Sequence, residues 1–303
     1  MSGPTDRRGG LLFQMTGADP AKWVEAFRAA LPGRPILTIA DRESPHWTRV
    51  TDAVVWRPPE GLLGSLPALE RVISTGAGLD HLASDPSCPP HVRIIRRDDP
   101  VAIRIMAEYV LAQVLAHHRS LGVYAEAQRA RHWKGHLVGP LAERRVTVLG
   151  FGPMGAASAT LLAQLDAPVT AWTRRPREIA PEGVRLLFGP DGLLAAVAQA
   201  DTLVVLLPST PDTRGLVSGD LIERLPQGAT LISCGRGDVV DTAAVLAALD
   251  SGRVGWATLD VLPQEPPTET DPLWSHPRVT LTPHVASLPR PADLARWVAG
   301  LLA

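Results

Sequence analysis

Residues 146–158 read VTVLGFGPMGAAS, and this stretch decides the fold. Val146 to Leu149 have the apolar, β-branched composition of a buried strand. Gly150, Gly152 and Gly155 follow at G-x-G-x-x-G spacing, and a helix opens at Pro153 and Met154 with the small Ala156, Ala157 and Ser158 behind them. Such glycines permit a tight turn, close approach of a pyrophosphate to the backbone, and close packing of helix on strand. The start of the helix offers N–H groups and the positive end of its dipole to phosphate. A second strand about 20 residues on, at 169–172, supplies the context that separates a dinucleotide turn from an ordinary glycine-rich loop.

Outward from this stretch the chain alternates apolar runs with helical periods. Further strands are expected at 202–207, 230–233, 257–259 and 279–281, with helices at 156–164, 193–200 and 242–249. Strands this continuously apolar belong to a parallel sheet covered on both faces. Towards the N-terminus the reading gives strands at 11–16, 36–40, 53–56, 72–75 and 92–95 and helices at 21–31 and 66–71. A long helix, 105–121, and a polar connector through Trp133 join the two parts. The fold class expected is α/β with two domains. A Rossmann-type doubly wound parallel sheet occupies 100–284. A smaller, flavodoxin-like substrate domain occupies 1–99 and is completed by the C-terminal helix, 285–303.

Composition narrows the function. Of 303 residues 45% are hydrophobic, enough for two cores, and the net charge of −1 argues against a nucleic-acid surface. No apolar run has the length of a membrane span, and the apolar core at the start is too short for a signal peptide, so a cytoplasmic protein is expected. Cys88 and Cys234 form neither a disulfide framework nor a metal-ligand cluster, and no metal is expected.

Ligands of such sheets bind outside the carboxyl ends of the strands, so the strand tips carry the functional reading. Beyond 169–172 stand Thr173, Arg174 and Arg175, where NAD-binding proteins place a carboxylate on the adenosine ribose. A hydroxyl donor and two guanidinium forks suit a phosphate instead, the 2′-phosphate of NADPH. The competing reading is a solvated pair in an arginine-rich chain, since lysine occurs only at Lys22 and Lys134 and paired arginines recur at Arg7-Arg8, Arg96-Arg97 and Arg144-Arg145. Leu207 and Pro208, with Thr210 and Thr213 beyond them, lie where the nicotinamide-side ribose would pass. Arg236 sits between Gly235 and Gly237, after Cys234, as a carboxylate clamp or a structural anchor. Asp260 is placed to accept from the nicotinamide carboxamide. His284 ends the last strand, and Glu265 is near enough in sequence to meet it. A carboxylate beside an imidazole favours its charged form and fixes its tautomer, as a general acid requires.

Together these residues resemble the D-isomer-specific 2-hydroxyacid dehydrogenases, and within them the glyoxylate/hydroxypyruvate reductase A branch. The segments carrying the resemblance are VVWRPP, STGAGLDHL, MAEYVLAQVL, VLGFGPMG, LLPSTPDTRGLV, RGDVVD, LAALDSGRVGWATLDVLPQEPP and PLWSHPRVTLTPHVA, spread over about 53–286. Two departures are the stretch around the arginine, Cys234-Gly235-Arg236, where the family's usual ARG is not kept, and Leu262, where the family has Phe.

The resemblance implies that Arg236 binds the substrate carboxylate and polarises the keto group, that His284 protonates the keto oxygen, and that Glu265 holds His284. It implies that the backbone of Gly76, Ala77 and Gly78 binds the carboxylate from the other domain and that Trp56 walls a small pocket. It also implies a homodimer through the long helix near Glu108 and the connector through Trp133. The expected activity is NADPH-preferring reduction of a small 2-oxo acid, glyoxylate or hydroxypyruvate, in a cleft between the domains, with NAD as the other cofactor. The alternatives are a relative acting on a larger 2-oxo acid and a dinucleotide-sensing binding protein of the same fold. Formate dehydrogenase is disfavoured by Glu265, and an unrelated methyltransferase leaves the Arg, Glu and His tips unexplained.

Overall fold

A computed structural model describes residues 9–177 and 179–303; Arg7-Arg8, with the rest of residues 1–8, lie outside the described residues, and the apolar run read against a signal peptide lies within them. The chain divides into two compact units, the first running to Val101 and resuming at Pro289–Ala303, the second being Ala102–Leu288. Among the described residues no helix is long and apolar enough to cross a membrane.

The first unit is built on strands β1 (Gly10–Met15), β2 (Ile36–Leu37), β3 (Val50–Trp56), β4 (Arg71–Ser74) and β5 (Arg93–Ile95), paired in parallel in the order β2-β1-β3-β4-β5. That is the order of flavodoxin-like sheets. Alternation along each strand feeds two cores. Leu12, Ala53, Val55 and Val72 pack with Leu62, Leu63, Leu66 and Leu69 on one face. Leu11, Phe13, Val54 and Ile73 pack on the other with Trp23 and Phe27 of α1 (Ala21–Ala30) and with Leu294, Ala295 and Val298 of the C-terminal helix, Pro291–Leu302. Each fully buried Leu or Phe contributes roughly 1.5–3 kcal/mol. Asp52, wholly buried on β3, is paired with Arg34 and Arg71. Burial pushes its carboxyl up, but the hydrogen bonds from Arg71 and Arg34 outweigh this and hold it below the usual carboxylate range.

The second unit holds β6 (Val146–Leu149), β7 (Val169–Thr173), β8 (Val184–Phe188), β9 (Thr202–Val205), β10 (Ala229–Ser233), β11 (Val254–Leu259) and β12 (Val279–Leu281), all parallel, in the order β12-β11-β10-β9-β6-β7-β8. The order turns back at β6 and β9, the switch point where doubly wound sheets bind ligands. Helices α2 (Pro100–His118), α3 (Leu121–Arg129), α4 (Pro153–Ala163), α5 (Gly189–Ala198), α6 (Gly219–Ile222) and α7 (Thr242–Asp250) accompany these strands. Leu149, Leu203, Val205, Leu231 and Leu259 enter one core, and Val148, Ala171, Val204 and Ile232 the other.

Several boundaries differ from the sequence reading. No helix forms at 66–71. Pro67 disfavours helical backbone at Leu66, a 3-10 turn covers Leu63–Ser65, and Glu70 already donates its N–H to Thr51 on the neighbouring strand, 2.9 Å. The strand expected at 36–40 stops at Leu37, where Thr38 and Asp41 form a capping box for a 3-10 turn. The run expected as one helix over 105–121 begins at Pro100 and ends at His118. Ser120 adopts a left-handed conformation, φ 56°, and α3 then takes up part of the connector. The strand expected at 202–207 ends at Val205, and β8 was not foreseen.

Candidate active site

The glycine turn is fastened on both sides. Gly150 donates its N–H to the Trp172 carbonyl, 3.0 Å, and Leu206 donates to the Leu149 carbonyl, 2.9 Å. Gly150 has φ +101°, and a side chain on Gly155 would collide with the Gly150 carbonyl, so α4 sits directly on the tip of β6. Around Gly152, in contrast, a Cβ would meet no atom within 4 Å. Gly152 is the N-cap of α4 with Pro153 at the first position, and no side chain caps the helix. An open glycine before an uncapped helix start is the cradle a pyrophosphate needs.

At the tip of β7, Thr173 is buried and its hydroxyl donates to the Arg175 carbonyl, so its one proton shapes the turn rather than facing outward as expected. Arg174 pairs with Asp212, a residue of the loop after β9. Arg175 is exposed, and the guanidinium carbon of Arg177 lies 5.9 Å from the centroid of the Phe151 ring in the glycine turn. Sequence reasoning missed both Arg177 and Asp212. The signal for Arg177 was its place two residues beyond the pair.

Residues expected to touch cofactor at the tips of β9 and β10 are largely turned onto the chain. The Thr213 hydroxyl donates to the Pro208 carbonyl, 2.6 Å, and accepts from the Thr210 N–H, 2.9 Å, which folds the loop after Leu207. Side chains on Gly235 and Gly237 would collide with the backbones of Leu207 and Leu262. These glycines lock neighbouring tips together and so position Arg236, a different reason from close ligand approach. Arg236 donates from Nη1 to the Gly235 carbonyl, 3.0 Å. Burial pushes the Cys234 thiol up and keeps it protonated. Asp238, next along, pairs with Arg214 at 3.2 Å.

The last tips assemble an acid-base pair. His284 Nδ1 and Glu265 Oε2 are 2.9 Å apart, and Glu265 Oε1 accepts from the Leu262 N–H at 3.1 Å. With a carboxylate on Nδ1, the other ring nitrogen, Nε2, is the one turned away from Glu265. His284 itself is left-handed, φ 54°, and donates its N–H to the Asp260 carbonyl, 2.9 Å. Asp260, 2% exposed, holds the rest of that turn. Its carboxylate accepts from Thr282 Oγ1, 2.6 Å, and from the N–H groups of Val285, 2.9 Å, and Ala286, 3.0 Å. The structure therefore gives Asp260 a role in placing His284, where the sequence suggested a contact with carboxamide. Tyr109 of α2 completes the chain to Thr282 at 2.6 Å, its hydroxyl pushed up by burial and so kept as a donor. Tyr109 and Thr282 were not singled out from the sequence; a lone tyrosine in an apolar helix was the available sign.

In the first unit, Ser74 at the end of β4 organises residues 76–78. Its hydroxyl donates to the Gly76 carbonyl, 2.7 Å, and accepts from the Gly76 N–H, 3.1 Å. His81 Nδ1 accepts from the Arg57 N–H, 3.2 Å, so Nε2 carries the proton given to Ser74, 2.6 Å. The His81 ring lies 4.3 Å from that of Trp56, and a side chain on Gly76 would collide with Trp56. Trp56, Gly76 and Gly78 are thus tied into one group, with Ala77 between the two glycines, by two buried residues that the sequence reading passed over.

The family model for the NAD binding domain of D-isomer specific 2-hydroxyacid dehydrogenases matches residues 111–286. A D-isomer specific 2-hydroxyacid dehydrogenase from Xanthobacter autotrophicus, solved with NADPH and MES, is 38% identical with a TM-score of 0.88, over 96% of this chain and 93% of that one. An NADPH-dependent glyoxylate/hydroxypyruvate reductase from Sinorhizobium meliloti, solved with NADP and sulfate, is 32% identical with a TM-score of 0.88, over 97% and 93%. A probable 2-hydroxyacid dehydrogenase from Rhizobium etli, solved with NADP, HEPES and L(+)-tartaric acid, is 29% identical with a TM-score of 0.87, over 97% and 94%. With the glycine turn, the two parallel sheets and this similarity along nearly its whole length, the chain belongs to the D-isomer specific 2-hydroxyacid dehydrogenases, a family of NAD(P)-dependent oxidoreductases.

Proposed function

We propose that the protein is a cytoplasmic, NADPH-preferring reductase of small 2-oxo acids, with glyoxylate and hydroxypyruvate as its substrates. The observation that carries this reading is the His284–Glu265 pair at 2.9 Å, with Glu265 one strand tip and His284 two strand tips from Arg236, on the same sheet edge as an open glycine turn with arginines beside it. The similarity to the Sinorhizobium meliloti reductase supports the substrate class.

Gly150, Gly152 and the start of α4 hold the pyrophosphate, Arg174 and Arg175 hold the 2′-phosphate, and Leu207, Pro208, Cys234 and Gly235 border the nicotinamide half. When bound, the dinucleotide supplies the hydride. Arg236 binds the substrate carboxylate and draws charge from the keto oxygen, with the N–H groups of residues 76–78 as further donors and Trp56 limiting substrate size. His284 gives the Nε2 proton to the keto oxygen as negative charge develops there. Glu265 stabilises the charged imidazole before transfer and keeps Nδ1 turned away from the substrate.

The exposed apolar residues Leu121, Val123, Trp133 and Leu137 support a homodimer through α3 and the stretch after it, Trp133 and Leu137 being fully open at 105% and 106%. Steady-state rates with NADPH across a panel of 2-oxo acids test the function. The reading expects the highest kcat/KM for glyoxylate and hydroxypyruvate. Preference for bulky oxo acids would move the substrate class, and cofactor binding without turnover would point to a sensor.

A further inference from the structure

We infer that Asp212 is a specificity-determining residue that competes with the cofactor's 2′-phosphate for Arg174. The inference rests on the NADPH reading above and adds a residue to it.

β6 lies between β7 and β9, and its tip carries the glycine turn. Arg174 follows directly on β7, and Asp212 lies in the loop after β9. The ion pair between them therefore joins the two tips that flank the turn, at the switch point of the sheet. Both neighbouring segments are hydrogen-bonded to this turn, through Gly150 to Trp172 and through Leu206 to Leu149. The pair is thus anchored beside the turn by backbone on both sides. A dinucleotide whose pyrophosphate rests at Gly152 brings its adenosine ribose toward the tip of β7.

A ribose 2′-phosphate and the Asp212 carboxylate are both anions suited to the same guanidinium. They also repel each other when both are near it. Binding of NADPH requires Arg174 to turn from the carboxylate to the phosphate. Binding of NADH presents only hydroxyls, which the carboxylate can accept from. Asp212 thus supplies, from a neighbouring loop, the acid that this sheet lacks at the end of β7, where Thr173 stands. The pair lowers discrimination between the two cofactors. Arg174 is 54% and Asp212 63% exposed, so substituting either leaves the core intact.

The test is isothermal titration of NADPH and of NADH, without substrate, into wild-type protein, Asp212→Asn and Arg174→Gln. Removing the competitor is expected to tighten NADPH by about fivefold, the equivalent of roughly 1 kcal/mol for an exposed pair, with NADH changed less than about twofold or weakened. Arg174→Gln is expected to weaken NADPH and leave NADH in place. If Arg174→Gln weakens NADPH while Asp212→Asn leaves it unchanged or weaker, the competition is overturned and the phosphate role of Arg174 stands. If Arg174→Gln leaves NADPH unchanged, that role is lost and the competition with it.

Discussion

The turn that places His284 hangs on one buried carboxylate, and Asp260→Asn isolates it. Asp260 accepts three hydrogen bonds, from Thr282 Oγ1, Val285 N–H and Ala286 N–H. An asparagine keeps one oxygen, which can serve two of these donors, and sets its NH2 against the third. Leaving a buried N–H without an acceptor costs about 1–3 kcal/mol, and each bond to a charged acceptor contributes about 1.5–3 kcal/mol against about 1 for a neutral one. Together these give a loss of about 3 kcal/mol, concentrated in residues 282–286. Displacement of a catalytic group by about 1 Å costs on the order of 100-fold in rate. Stopped-flow turnover, cofactor titration and thermal melting should show kcat lowered by roughly 10- to 100-fold, Tm lowered, and the NADPH dissociation constant within about twofold of wild type. Unchanged kcat would refute the positioning role. A large loss of NADPH affinity at unchanged Tm would restore the contact with the carboxamide that the sequence first suggested.

Further substitutions test the other groups one at a time. His284→Gln should lower kcat by about 10²- to 10⁴-fold with cofactor affinity intact, and turnover near wild type would remove His284 as the acid. Gly152→Ala, whose Cβ meets nothing within 4 Å, should fold normally yet bind dinucleotide weakly in titration. Gly155→Ala collides with the Gly150 carbonyl and should lower Tm as well; identical behaviour of the two variants would contradict the division of roles. Ser74→Ala breaks the link from His81 to Gly76 and should raise KM for the oxo acid several-fold while kcat holds better; a loss confined to kcat would count against it. The His117 imidazole is pushed from 6.5 down to about 4 by burial and then by Arg144. Between those values the unfolded chain binds a proton that the folded chain does not, so stability falls as pH drops through this window, by about 3 kcal/mol in full. Melting at neutral and acidic pH should show this loss, smaller in His117→Gln, and parallel losses in both proteins would exclude His117 as its source.

The sheet of the second unit was legible because a parallel strand covered on both faces has little choice of residue, as Leu203, Val204 and Val205 illustrate. The glycine turn was legible for a related reason: Gly150 and Gly155 answer to backbone geometry. The helix expected at 66–71 was misread because Leu66 and Leu69 have helical spacing, yet they fill a core beside a turn already broken by Pro67. Ser120 ends α2 by a left-handed backbone that its residue type does not announce. Polar residues at strand tips were the hardest to read. Thr173, Thr213 and Asp260 all stand where a ligand contact was expected, and all three turn hydrogen-bonding groups onto the chain. Residue type and position locate a lone pair but do not say which donor reaches it. The support behind the candidate site, Tyr109 and Thr282 behind Asp260 and Ser74 and His81 behind residues 76–78, depends on contacts between distant or buried groups and emerged only from the fold.

If this sheet edge reduces a small 2-oxo acid with NADPH, the rates with the two dinucleotides will show it. The most direct measurement is kcat/KM for NADPH and for NADH with hydroxypyruvate at saturation. Turnover with both cofactors is expected, with a preference for NADPH of about tenfold or more, the equivalent of roughly 1.4 kcal/mol. Equal use of the two, or a preference for NADH, would return Arg174 and Arg175 to the solvated surface, and absence of turnover with either would contradict the reductase itself.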